Sequence, residues 1–433
     1  MGTIEGKVIN ISEVKNEVTY RFVKDIKIEE VKLKNGNKRS NNTVLIMLEQ
    51  NRNGIIRRKV HPLTLYLLQT KKGGGKYSPI TQNNKATLIV KFLNYVLIDN
   101  HSRFKLNNFQ DILFEHGTDF LNSLTDVSNE TIDRYKTELT KFYYYLANEG
   151  VLRNITPNDF EIIRRDGKYG TQSALTSPFF GVEYNDNERH TVIHKLPLTL
   201  VVYFIDTAIM HAPRIALGIC FQFFGGLRLG EVINLKRSSI KVKGPAGKYG
   251  FVLNLKDTYM RQDLKHPVAG GSVKIKRRQA VFPFGGIIVQ KVYEMHMKQN
   301  VYNNDQNALF TNADGKPMAD FTYRYYFGKV KSKFIERLKT SEHVELRHYA
   351  IELESVKWST HIGRGIFSNI IASVSNNILE IAQARGDVQL DSSLTYLSDS
   401  DKMAMMLWEN DKDMWQHLEE AIKEIGGNNY AIN

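Results

Sequence analysis

The 433-residue sequence predicts a mainly α-helical protein with small β-sheets, arranged as an N-terminal β-rich region, a helical domain and a mixed α/β C-terminal domain. Three observations predict it. β-prone runs separated by Asn-Gly turns fill the first 75 positions, apolar residues recur at helical spacing from Thr81 onward, and short β-like runs return between Ser239 and Phe284. The length also exceeds what one core usually serves, so two or three domains are expected.

In region 1–75 the strand candidates are Lys7–Ile11, Val18–Val23 and Thr43–Leu48, with turns at Lys34–Lys38 and Asn51–Gly54, and Gly73-Gly74-Gly75 as a flexible joint. Across 76–155, Leu88, Phe92, Tyr95 and Val96 line one helix face, and Tyr135, Leu139, Phe142, Tyr143 and Leu146 line another that ends near Gly150. The aromatic stripe reads as core. Residues 156–197 are dominated by Gly, Pro, Asn, Asp and charged side chains, and read as a linker with turns.

From 198 to 433 the helical pattern resumes with Leu198, Val201, Val202 and Ile205, followed by Ile215–Phe224. Gly225-Gly226 ends that helix, and Leu229, Val232, Ile233 and Leu235 begin another with Arg228 at its first turn. Ser239–Lys243, Phe251–Leu255 and Gln279–Phe284 are β-like, and the connection Lys256–Arg278 is long and rich in Lys and Arg. A basic hairpin reaching into a groove has this composition, and so does a surface loop.

A formal net charge of +13 with 42% hydrophobic residues describes a folded, basic protein suited to a polyanionic partner. Basic residues recur from Arg52 to Lys91, with no acid before Asp99. A single cysteine, Cys220, excludes an intrachain disulfide and a multi-cysteine zinc site. Asp206, His211, Pro213 and Arg214 interrupt the most apolar stretch, so no membrane span is expected, and the N-terminus carries no signal-like apolar segment. A cytoplasmic protein follows.

The residues that carry chemistry are spread along the C-terminal half: Gly226-Leu227-Arg228-Leu229-Gly230-Glu231, then His361-Ile362-Gly363-Arg364, then Gly386-Asp387 and Tyr396. Guanidiniums present a fixed fork of donors matched to phosphate oxygens, an imidazole moves a proton near neutral pH, and a phenol can attack phosphorus. Singly these residues say little, because the chain has 21 Tyr and an Arg three residues before a Glu is commonly a surface ion pair. Order and spacing are the signal.

With those motifs, the segment Phe224–Tyr396 resembles the catalytic domain of the tyrosine recombinase (phage-type integrase) family. The Gly-Leu-Arg-x-x-Glu and His-x-x-Arg boxes are matched, and Asp387 lies 23 residues after Arg364 and 9 before Tyr396, as the family spaces its Gly-His or Gly-Trp pair and its tyrosine. The resemblance implies that Arg228 and Arg364 bind the scissile phosphate, that Glu231 orients them, that His361 assists proton transfer and that Tyr396 is the nucleophile. It also implies a lysine general acid in the basic hairpin. Lys274 matches best, with Lys276 and Lys256 as alternatives. Asp387 stands where the family has His or Trp, and Gly363 and Gly365 stand where Leu and His are usual.

The same resemblance implies an arm-binding-like role for 1–75, a core DNA-binding domain at 76–155, a linker at 156–197, and a catalytic domain with a C-terminal tail at 198–433. Lys85, Lys91, Lys136 and Lys141 become candidates for DNA backbone contacts. In the tail, Met406, Leu407, Trp415, Leu418 and Ile422 suit a short amphipathic element that packs on a neighbouring protomer or on its own domain. The expected partners are double-stranded DNA, further copies in a tetramer on DNA and accessory DNA-bending proteins, with no membrane, no metal and no cofactor. Two rivals use the same residues: a regulator that keeps the fold without catalysis, and a type IB topoisomerase.

Overall fold

A computed structural model of the chain describes residues 18–32, 38–70, 74–106, 108–167, 170–184, 196–244, 247–258, 260–261, 263–264, 271–273, 275–282, 287–299, 307–374 and 378–386. It is mainly helical with small antiparallel sheets, as the sequence predicts. Two compact units divide between Glu188 and Arg189.

In the first unit, strands β1 (Val18–Lys32), β2 (Lys38–Arg52) and β3 (Ile55–Val60) form an antiparallel sheet in that order. The β2–β3 turn places Asn53 and Gly54 at positive φ, which explains the Asn-Gly pair. The strand candidate Lys7–Ile11 lies outside the described residues. Helices α1 (Thr64–Leu68), α2 (Pro79–Asn94), α3 (His101–Phe104), α4 (Phe114–Asn122) and α5 (Asn129–Asn148) follow. Ser78 caps α2 by accepting from the Thr81 amide, with Pro79 preset for the first turn, and Ser128 caps α5 through the Thr131 amide.

The sheet and the helices share one core. Phe22, Val44 and Ile46 from the sheet are buried with Leu88, Phe92, Val96, Phe120, Phe142 and Tyr143. The rings meet edge-on, Phe92 and Phe120 at 5.5 Å, so the aromatic stripe is packing rather than a stacking platform. Asn94 ties the layers by accepting from the Phe22 amide and donating to its carbonyl, both at 2.8 Å.

The stretch read as a linker with turns carries regular structure in part. Strands β4 (Ile162–Gly167) and β5 (Gly170–Leu175) pair as an antiparallel hairpin. Beyond it Phe179 is buried in the first unit's core, and Asn122 donates to the Gly181 carbonyl at 3.0 Å. Cross-strand pairing and one aromatic anchor order a polar segment that composition alone marks as loose.

The second unit is built from α6 (Leu198–His211), α7 (Pro213–Gly225), α8 (Leu229–Ile233), strands β6 (Ile240–Gly244), β7 (Gly247–Leu255) and β8 (Arg277–Val281), then α9 (Ile288–Gln299), α10 (Asp320–Lys339), α11 (Val344–Ser355), α12 (Ile362–Val374) and α13 (Ile378–Arg385). The strands form an antiparallel meander in sequence order. Helix α7 is buried along its length from Ile215 to Gly225, including Cys220, whose thiol burial drives well above its usual range. It is the central helix of this unit, contacted by α6, α9 and α12.

Candidate active site

The first arginine motif begins where α7 stops. Gly226 takes the left-handed conformation at φ +64°, and the Phe367 ring fills the space a Cβ would need, so only glycine fits. The chain then turns at Arg228, which caps α8. The Glu231 carboxylate folds back to accept from the Arg228 amide at 2.8 Å, satisfying a donor the helix cannot. The Arg228 side chain is 24% exposed and that of Glu231 is fully buried, with Nη1 to Oε1 at 3.5 Å.

The second motif sits against the first. At Gly363 a Cβ would approach Gln222 Cβ to 2.7 Å and the Phe223 ring to 2.8 Å, so the glycine lets α12 lie close on α7. That contact explains why glycine replaces the larger residue usual in the resembled family. Arg364 is buried and its Nη1 donates to the Gly226 carbonyl at 2.6 Å, joining two motifs 138 residues apart. His361 precedes α12 rather than lying in it; its carbonyl accepts from the Arg364 and Gly365 amides and its side chain is exposed. The turn is fixed from below: Tyr323 donates to Gln222 Oε1 at 2.9 Å, and Gln222 Nε2 reaches the Thr360 carbonyl at 3.4 Å.

A third guanidinium completes the cluster. Arg277 of β8 donates Nη1 to Glu231 Oε1 at 2.7 Å and Nη2 to Oε2 at 3.2 Å, a two-pronged pair with a carboxylate sealed from water. Its Nη2 also reaches the Arg385 carbonyl at 3.4 Å, while Nε donates to Gln279 Oε1 at 2.8 Å. Gln279, on the same face of β8, donates to the Ala384 carbonyl at 2.6 Å. Together they satisfy carbonyls at the C-terminal end of α13. Gly386 follows at φ +66°, where a Cβ would overlap the Arg277 side chain.

The basic hairpin is anchored beside the first motif. Asp257 accepts from the Val273 amide at 2.6 Å, Thr258 bonds to Asn234 just after α8, and a Cβ on Gly230 would come within 2.6 Å of the Ser272 carbonyl oxygen. Lys256 and Lys276 are exposed. Lys274, Asp387 and Tyr396 lie outside the described residues, as does the tail with Met406, Leu407, Trp415, Leu418 and Ile422. The structure therefore brings together Arg228, Glu231 and Arg364, with His361 in the turn just before the helix that carries Arg364, and adds Arg277 and Gln279. Among the described residues no group of three or more His, Cys, Asp or Glu could hold a metal ion, and no helix is long and apolar enough to cross a membrane.

Comparison with protein-family models finds no match, and neither does comparison with curated proteins. Solved structures do match. The XerH site-specific recombinase bound to its difH substrate is 16% identical, covering 76% of this chain and 80% of that one at a TM-score of 0.48. The Tn1549 transposon integrase in complex with transposon right end DNA is 14% identical over 77% of this chain and 95% of that one, also at 0.48. A lambda integrase dimer bound to a core site is 12% identical over 74% and 89%, at 0.47. At these scores the likeness carries no weight for chemistry, which rests on the chain's own side chains.

Of the four lysines named for DNA backbone contacts, Lys85 is corrected. It is buried, 2.9 Å from Glu138 Oε1 and over the Tyr66 and Tyr77 rings at 4.6 and 4.2 Å. A long alkyl stem on the inner face of α2 makes that possible. Lys91 and Lys141 are exposed and Lys136 is half-buried.

Proposed function

We propose that the chain is a site-specific DNA recombinase of the tyrosine class, cleaving and rejoining duplex DNA through a covalent 3′-phosphotyrosyl intermediate. The observation that carries this reading is the 2.6 Å bond from Arg364 to the Gly226 carbonyl, which sets the second arginine motif on the turn that presents Arg228. Separate surface ion pairs would have no reason to converge.

In this mechanism Arg228 and Arg364 hold the non-bridging oxygens of the scissile phosphate and offset the charge that builds in the pentacoordinate transition state. The Tyr396 oxygen attacks phosphorus, the bond to the 5′ oxygen breaks, and that oxygen takes its proton from Lys274, or from Lys276 or Lys256. A free phenol loses its proton near pH 10, roughly, so the surrounding positive charge must favour the phenolate. His361 assists that proton transfer, and Asp387 accepts a hydrogen bond where the family places a donor. Attack by another 5′-hydroxyl on the phosphotyrosine reverses the step, and the conserved bond energy makes ATP unnecessary.

The first unit, with its β-rich region at 1–75 and helical region at 76–155, would grip the duplex, and 198–433 would carry catalysis. A tetramer on DNA, accessory DNA-bending proteins and a cytoplasmic location belong to the same proposal. A second reading, a DNA-binding regulator without catalysis, is favoured by one feature: the Asp387 carboxylate would repel phosphate where the family has His or Trp.

A pool of nicked duplexes of randomised sequence, in which the cut segment diffuses away, traps any covalent adduct. The expected result is a denaturation-resistant protein–DNA band that is lost in Tyr396→Phe. Tight binding of selected duplexes with no adduct would support the regulator.

A further inference from the structure

We infer that the three-stranded sheet is a fixed extension of the helical region rather than a separately moving arm, and that it lays Arg57 and Lys59 on duplex DNA directly beside the stretch the helices hold; this rests on the recombinase reading above. Sheet and helices are built around one core, with Phe22, Val44 and Ile46 buried among Leu88, Phe92, Phe142 and Tyr143. Polar ties fix the same interface. Asn94 of α2 brackets the Phe22 backbone, and Lys24 Nζ donates to Asn83 Oδ1 at 3.0 Å and to Thr87 Oγ1 at 2.7 Å. Thr64 of α1 donates to the Ile46 carbonyl at 3.1 Å and accepts from its amide at 3.0 Å, while Tyr66 of the same helix donates to Glu138 of α5 at 2.7 Å. Thr70 and Lys76, which flank the glycine run expected to be a joint, pair as an antiparallel bridge, so the ends of that run are held together. An arm that reaches DNA elsewhere needs slack between folded bodies, and these contacts remove it.

Strand register says where the sheet's cations face. Lys59 lies opposite Leu48 and Leu48 opposite Phe22, so the three share one face; Arg57 shares it through Gln50 and Tyr20. That is the face on which the helices pack, since Phe22 is buried in their core, yet every residue of β3 is exposed. Strand β3 therefore overhangs the helical layer and presents Arg57 and Lys59 on the side the helices occupy. Arg58, on the opposite face, is taken up by Glu49 at 2.7 Å. With no acid in the sequence between Arg52 and Asp99, this ledge matches a phosphate backbone running on from the helices. Basic residues on an edge strand also discourage strand-to-strand aggregation, but that role favours neither face.

The test uses the full chain and a duplex selected by binding from the randomised pool, extended with flanking DNA on both sides. Hydroxyl-radical footprints of the wild type and of the double variant Arg57→Gln/Lys59→Gln are compared. The stretch that the double variant leaves open is the sheet's share. It should adjoin the stretch still protected, and affinity should be lower by about tenfold. Inserting about 5 base pairs at the junction, half a helical turn, swings that share to the other side of the duplex. Wild-type affinity is then expected to fall to that of the double variant on the uninterrupted duplex, whereas a tethered arm would tolerate the insertion.

Amide hydrogen exchange reads the rigid union without DNA. Asn94→Ala removes both bonds to the Phe22 backbone, and exchange should quicken in β1 and β2 as well as in α2. Should that variant not fold, Thr64→Val cuts the tie to Ile46 and should quicken β2 together with α1. A sheet footprint separated from the rest by unprotected DNA, full affinity after the insertion, wild-type affinity in the double variant, or quickened exchange confined to the helix would overturn the inference. Absence of an adduct in the wild type on a nicked form of the duplex would instead overturn the recombinase reading, with the footprints still judging the sheet. A pool that yields no bound duplex would overturn both.

Discussion

Glu231 is sealed from solvent and its short two-pronged partner is Arg277, so removing that guanidinium leaves a buried carboxylate with only the longer 3.5 Å contact to Arg228. Arg277→Met should therefore lower the unfolding free energy by about 3 kcal/mol in urea titration, and a change below about 1 kcal/mol would mean the pair is not buried in solution. The reach of Arg277 was hidden in the sequence because it sits in the basic run Lys274-Ile275-Lys276-Arg277-Arg278, where any residue could face water. Strand alternation holds the missed signal: Arg277, Gln279 and Val281 share one face of β8, and the latter two are buried. Gly363 was legible only as a departure from the family pattern, since its value comes from the approach of α7, which no local pattern reports. Gly363→Leu should destabilise the fold by about 2 kcal/mol or more, read as a lower denaturation midpoint, because the side chain would enter packed space at Gln222 and Phe223.

Among elements, α9 carries a pH-dependent contact. His296 is buried, its Nε2–H donates to the Leu309 carbonyl at 2.9 Å, and desolvation pushes its pKa down to about 4, with Arg214 and Arg237 adding repulsion. The unfolded chain takes up this proton near pH 6.5, roughly, and the folded chain only near 4. The unfolded state thus binds more protons between those values, so the neutral ring's contribution is complete above the upper value and is lost as pH falls toward the lower one. Unfolding free energy should drop by about 3 kcal/mol more in wild type than in His296→Gln across that window. Parallel pH profiles would contradict it. The elements themselves followed the sequence wherever a local signal sets them: the Gly225-Gly226 pair that ends α7, and the Asn-Gly turn between β2 and β3. The β4–β5 hairpin did not, because its pairing and the Phe179 anchor depend on partners distant along the chain.

For the molecule as a whole, the net charge of +13 predicts binding to duplex DNA with steep salt dependence. Affinity for a random duplex should fall by roughly a thousandfold between about 50 and 200 mM salt. Burial refines which cations matter. Exposed residues such as Arg57 and Lys59 on the fully exposed strand β3, and Lys91 on α2, should each reduce the salt slope by about one when neutralised. Lys85→Gln should leave the slope unchanged while lowering stability, because its charge is paired with Glu138 inside the first unit. Of the candidate site's spacings, the structure gives a physical meaning to one, setting the Arg364 motif on the turn of Arg228 through Gly226, while Lys274, Asp387 and Tyr396 lie outside the described residues.

Peptide mapping of the trapped protein–DNA adduct tests the central claim most directly. After nuclease and protease digestion, mass spectrometry should find a nucleotide joined by a phosphodiester to the peptide containing Tyr396, and to no other tyrosine of the chain. A nucleotide on a different residue, or duplexes bound tightly with no modified peptide at all, would contradict it.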